Sequence, residues 1–143
     1  MEAFQQLHAH MEAAADRVED PKERLLEVGV AYVVTGRDFP AHCSIVFRAD
    51  LVDTTDPDYQ EWGEQAYSFL EATIRAVAER YNPSLDIDDA SRLCWAAMQG
   101  LLVLHTPMDA IARQRGEAPV DPVEQARAST RLILMGLVPG RQG

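Results

Sequence analysis

His42 and Cys43 adjoin in "PAHCSIVF", pairing the base and the nucleophile that a thiol hydrolase or a zinc site would need. Adjacent positions on a helix point about 100° apart, however, and no Asn, Asp or third ligand stands out to complete either constellation. His8 and His10, two apart on one helix, likewise diverge and do not chelate together. Asp88 and Asp89 form a carboxylate pair, but they open a helix, where acidic side chains serve the dipole and the cap. The chain carries no G-x-S-x-G, no H-E-x-x-H and no glycine-rich phosphate loop. No catalytic centre, no bound metal and no cofactor is expected. Cys43 and Cys94 lie far apart among apolar neighbours and read as buried free thiols of a reducing cytoplasm.

Binding chemistry is better represented. Tyr32, Phe39, Phe47, Trp62, Phe69, Trp95 and Met98 recur on the inward faces of the middle helices, and such groups line apolar pockets between helices. Each taken singly is also an ordinary core residue. His42, Thr73, Gln99 and His105 are the polar candidates, and Gln99 on its own reads as a solvated or backbone-satisfied amide. Together they predict a cavity between Tyr32, Phe47, Phe69 and Met98, with Trp95 nearby. Its occupant would be a small, mostly apolar molecule, because inward charges are scarce.

Helical periodicity positions these residues, with no convincing strand pair. Phe4, Leu7, Met11, Ala14, Ala15 and Val18 recur at spacings of three and four, predicting a first helix from Met1 to Arg17. Asp20-Pro21 with Glu23 starts a second, and Gly36 is its natural stop. A short third helix follows Pro40 and carries His42, Cys43, Val46 and Phe47. Asp56-Pro57 starts the longest helix, which Pro83 ends. Asp86 or Asp88 caps a fifth, predicted to end before Pro107, and a loop with "RQRGEAP" has room for one more turn. Asp121-Pro122 starts the last, which stops at Pro139-Gly140. The expectation is an all-α fold of six helices in one domain.

The fifth helix contains "CWAAMQGLLVLH", residues 94–105, apolar almost all round. Such a helix must be covered all round, either at the centre of its own domain or by a second chain. Gly100 costs roughly 1 kcal/mol against alanine in a helix interior, and beside Ala96 and Ala97 it makes a flat patch. Ala96, Ala97, Gly100 and Leu104 are therefore predicted to meet a second copy. Thr130, Ile133, Leu134 and Leu137 on the last helix would complete a four-helix homodimer seam.

The chain has 143 residues, with 23 acidic against 13 basic and a formal net charge of -10, so it repels phosphate. No apolar run reaches the ~20 residues of a membrane span, and no secretory signal opens the chain. The expected setting is cytoplasmic, with no membrane contact and no DNA contact by these residues themselves.

"WAAMQGL", Trp95 to Leu101, resembles the W-x-x-x-H-G signature of one class of C-terminal domain in TetR-family transcriptional regulators. "PKERLLEVGVAYVVTGRDFPAHCSIVF" is similar to an earlier part of the same domain, and the resemblance extends from about Pro21 to Leu137. Gln99 stands where the signature has histidine, a departure that bears on the ligand contact expected of that histidine and not on the fold. The resemblance implies a six-helix orthogonal bundle, with residues 1–20 as a connector helix and 21–139 as an effector-binding and dimerisation domain. It also implies a homodimeric repressor-like regulator whose DNA contact belongs to an N-terminal helix-turn-helix that these residues lack. The ligand set would be Tyr32, His42, Phe47, Trp62, Phe69, Thr73, Trp95, Met98 and Gln99. A helical dimerisation or scaffold module without a ligand is the alternative reading.

Overall fold

The computed structural model describes residues 2–39 and 53–140, and the described residues form five α-helices with no strand. They are α1 (Glu2–Asp16), α2 (Pro21–Asp38), α3 (Pro57–Tyr81), α4 (Ile87–Gln114) and α5 (Pro122–Leu137). The short helix expected after Pro40, with His42, Cys43 and Phe47, lies outside the described residues.

Three of the starts use one local device. Asp20, Asp56 and Asp121 each sit in an extended conformation and accept from backbone amides of the following first turn, with proline next in sequence. The missing proline N–H costs nothing there, because that donor would lack a partner anyway. Asp86 caps α4 through the Asp89 amide at 2.9 Å. At the α1–α2 corner the Asp20 carboxylate takes two further partners. Tyr81 at the end of α3 donates its hydroxyl to it, and Arg80 lies 3.7 Å away. The Tyr81 hydrogen bond holds Asp20 below the usual carboxylate range, and the same bond pushes the phenol up.

α2 is the hub, packing against each of the other four helices. Its buried residues include Leu25, Val28, Val33 and Thr35, each no more than 2% exposed. Burial continues into Gly29 and Gly36, seven apart on one face. A Cβ at Gly36 would lie 2.3 Å from Leu102 Cδ1, and one at Gly29 would lie 2.9 Å from Thr130 Oγ1 and 3.3 Å from Met98 Sδ. α4 and α5 thus approach α2 closely because two of its side chains are absent. Polar bonds fasten the same contacts: Arg127 Nη1 donates to Glu27 Oε1 at 2.7 Å. Thr35 Oγ1 bonds the Ala31 carbonyl at 2.8 Å and pairs with His10 Nδ1 at 2.7 Å, which ties α1 to α2. α1, expected as a connector, is packed into the main core by Phe4, Leu7, Met11 and Ala15.

Two helix ends differ from the sequence expectation. α2 runs past Gly36 to Asp38, with Phe39 as its C-cap, because Gly36 serves the close approach of Leu102 rather than termination. α4 does not end before Pro107 but continues to Gln114. The proline removes the rung to the Val103 carbonyl, and Val103 lies on an outer face, 65% exposed, where water can take that acceptor. Gly116, at φ 69°, follows the Arg115 C-cap in the left-handed geometry that ends helices.

These contacts sort the glycines by role. Gly36→Ala is expected to destabilise the fold by about 1–3 kcal/mol through overpacking against Leu102. Gly100 has nothing within 4 Å of a built Cβ, so Gly100→Ala is expected to gain up to about 1 kcal/mol of helix propensity. Urea unfolding of both variants beside the parent chain measures this. Equal midpoints for the two would contradict it.

Candidate functional site

All five helices contribute to a partly open cavity of about 340 Å³ between them. That is within the range of small-molecule sites, roughly 300–1,000 Å³. α1 supplies Phe4, Leu7 and Met11; α2 supplies Leu25, Val28, Gly29 and Tyr32; α4 supplies Cys94, Trp95 and Met98; α5 supplies Thr130 and Ile133. α3 gives the longest wall, including Tyr59, Gly63, Ala66, Tyr67 and Leu70. Gln60, Glu64 and Trp95 are the exposed members of the lining.

Local spacing explains the α3 wall. Tyr59, Gly63 and Tyr67 stand four apart and share one face, with a glycine where a third side chain would fill the gap. The two tyrosines reach across to other helices. Phe4 meets Tyr59 edge-on with ring centroids 5.4 Å apart, and Tyr67 meets Trp95 at 5.7 Å. Burial pushes the Tyr67 phenol up, the direction expected of a hydroxyl with its charged form desolvated.

A hydrogen-bonded chain crosses from α4 to α2 and back. Trp95 Nε1 donates to the Tyr32 hydroxyl at 3.0 Å, which donates in turn to Gln99 Oε1 at 2.6 Å. Gln99 is therefore bonded to a tyrosine on another helix, not merely solvated or satisfied by backbone, and it fixes the orientation of two aromatic cavity residues. Tyr32 is buried, so its phenol is placed by this chain and by packing together.

The remaining expected ligand residues are distributed differently. Tyr32, Trp95 and Met98 line the cavity. Trp62 and Phe69 pack against the main core beside it, and Phe69 lies under the His8 ring at 5.4 Å. Thr73 is buried and bonds the Phe69 carbonyl at 2.9 Å, a core contact. His42 and Phe47 lie outside the described residues. His105 faces Asp109 at 3.5 Å near the far part of α4, away from the cavity. His8 and His10 take separate partners, Glu12 and Thr35, and among the described residues no three potential metal ligands cluster.

The residues expected at a seam divide as well. Ala96 and Leu104 are exposed on α4, and Gly100 between them is uncovered within the chain. Ala97, Ile133 and Leu134 are partly buried against the core clusters, while Thr130 and Leu137 are buried inside. The apolar stripe of α5 is thus spent largely within the chain, and its outward hydrophobics are Leu132 and Met135, at 67% and 70% exposure.

Sequence reasoning missed the α1 residues, the Tyr59–Gly63–Tyr67 face and Thr130 as cavity walls. The four-residue spacing of the second group was a readable signal. The placement of α1 over the cavity had no local signature. No family model, curated protein or solved structure matches the chain. Among the described residues no helix is long and apolar enough to cross a membrane.

Two measurements probe the site. Tyr32→Phe breaks the chain at its centre and is expected to cost about 1–2 kcal/mol. In a Trp62→Phe background, where Trp95 alone emits, it is also expected to shift the emission maximum. Unchanged emission would mean that the chain does not form. Burial pushes the Cys94 thiol up to about 12. A thiol raised in the folded state favours folding below its unfolded pKa, and that advantage is lost as pH rises through the folded value. In a Cys43→Ser background, stability is accordingly expected to fall between about pH 9 and pH 12. Cys94 should resist alkylation at pH 8 until the chain is unfolded.

Proposed function

We propose that this chain is the effector-sensing and dimerisation domain of a cytoplasmic transcriptional regulator resembling the TetR family. Its cavity takes a small, mostly apolar molecule, and occupancy governs DNA binding by a helix-turn-helix not contained in these residues. The observation that carries the reading is the cavity itself, shared by five helices and rimmed by bonded aromatic side chains. A domain with no ligand gains stability by covering such apolar walls with its own side chains, because burying apolar surface is favourable. A ligand touching all five helices favours one arrangement of them over another, which is the requirement for a sensor. The described residues form five helices, and a sixth would complete the orthogonal bundle of such a domain.

The second half of the reading is a homodimer. Among the described residues, the exposed large hydrophobics lie on α4 and α5: Leu93, Trp95, Val103, Leu104, Ile111, Leu132 and Met135. On α4, Leu93, Ala96, Gly100, Leu104 and Ile111 form one stripe at helical spacing. α4 and α5 are neighbours, so their outer faces make one apolar surface. A two-fold axis covers it with its own copy.

The unaltered chain is expected to sediment as a dimer, and Leu104→Glu as a monomer. Gly100→Leu is expected to weaken association by about 1–3 kcal/mol through overpacking. A monomer at all concentrations for the unaltered chain would remove dimerisation from the reading. Lipophilic compounds should be screened by thermal shift. At a hundredfold excess over Kd a binder stabilises the fold by about 2.7 kcal/mol. If no compound in a broad lipophilic set shifts the transition, the chain is a dimerisation module without a ligand.

A further inference from the structure

Three threonines are buried among the described residues: Thr35, Thr73 and Thr130. A helical threonine commonly returns its hydroxyl to the carbonyl four residues back. Thr35 does so to Ala31 at 2.8 Å and Thr73 to Phe69 at 2.9 Å. Thr130 does not. Its Oγ1 is buried with no hydrogen-bond partner, although the residue is only 3% exposed. Two other buried side-chain oxygens share that condition, on Gln6 and Ser91, but neither residue lines the cavity.

A buried hydroxyl without a partner lowers stability, and valine would fill the same volume without that penalty. The position has also been given room: Gly29 stands opposite, where a Cβ would come within 2.9 Å of this oxygen. Several other polar groups of the wall have partners. Tyr32 is bonded to Gln99 and Trp95, Gln60 to the Thr54 carbonyl, and Glu64 to Ser68. The Cys94 thiol is held protonated by burial. No lining residue is Lys, Arg or His, so nothing in the wall neutralises an anion.

We propose that the cavity selects an uncharged lipophilic molecule bearing one hydrogen-bonding oxygen, a ketone, ester or hydroxyl, and that the Thr130 hydroxyl binds it. The rest of the molecule lies against the aromatic walls, with Trp95 and Tyr67 toward the exposed side. Thr130 is one of the residues lining the cavity, and a ligand that takes up its hydroxyl draws Oγ1 away from Gly29 by rotation about χ1. The inference rests on the ligand-sensing reading and adds to it the polarity of the ligand and the residue that reads it.

Three probes of one shape test it by titration calorimetry: 2-acetylnaphthalene, 2-ethylnaphthalene and 2-naphthoate. The ketone and the hydrocarbon are expected to bind the unaltered chain, and the carboxylate at least tenfold more weakly than the ketone. In Thr130→Val the affinity ratio of ketone to hydrocarbon is expected to fall about fivefold, the worth of one modest hydrogen bond. In Thr130→Ser the ratio should be kept. Thr130→Val without ligand is expected to melt higher than the parent, since it removes an unpaired buried hydroxyl. Thr130→Ala serves as a second hydroxyl-free variant if valine does not fold. An unchanged ratio in the hydroxyl-free variant, or tightest binding by the carboxylate, overturns the inference and leaves the sensor reading standing. If neither neutral probe binds the unaltered chain, the inference falls, and the broad thermal-shift screen alone decides the sensor reading.

Discussion

Leu102 of α4 occupies the space that a side chain at position 36 of α2 would need, and the rest of the architecture depends on that fit. α2 touches every other described helix, whereas α1 makes no comparable contact with α4 or α5, and α3 none with α5. The other helices are therefore assembled largely through α2. Where they cross Gly29 and Gly36 the approach is as close as two backbones with one intervening side chain allow. Packing at such crossings has two discrete states, fitted or clashing, with little continuous range between them. The cavity lies beside this rigid crossing, and Gly29 belongs to both.

What the sequence made legible was what depends on near neighbours. Three Asp-Pro pairs marked helix starts correctly, because a cap needs only the following two or three residues. The amphipathic stripe of the first helix gave its share of the core, since Phe4, Leu7, Met11, Ala14 and Ala15 are all buried. The misreadings fell where one residue type has two uses. Gly36 and Pro107 are ordinary stop signals, yet one serves a close contact and the other sits in a solvated stretch of continuing helix. Gln99 looked like a surface amide because its partner, Tyr32, lies 67 residues away in sequence. Thr130 was visible as a small polar residue on an apolar stripe. Which side of α5 would face inward was decided by tertiary contact with Gly29, which periodicity does not encode.

The cavity exists because its walls are propped apart. Phe4 against Tyr59 and Tyr67 against Trp95 are aromatic contacts between helices, and Gly63 leaves the space between the two tyrosines unfilled. Large rings at the edges and small residues between them give a hollow with stiff borders. Filling it with side chains would raise stability, and an unpaired threonine hydroxyl in the wall lowers it further. Stability given up at a concave, aromatic-lined place is the usual mark of a surface kept for something other than the chain itself.

Pro107 divides α4 into two stretches of different standing. Before it lie Ala90, Ser91, Cys94 and Met98, all buried; after it only Ala112 is. The later stretch is held by the loop beyond it, where the Val120 amide donates to Asp109 at 2.9 Å, and by its own C-cap at Arg115. None of the cavity wall comes from residues after Met98 on this helix. In engineering terms, the exposed turn around Gly116 and Glu117 is a place to splice in a peptide tag or a fluorescent module. Local fraying there would stop at the missing rung, and the ligand-binding half of the helix would keep its shape.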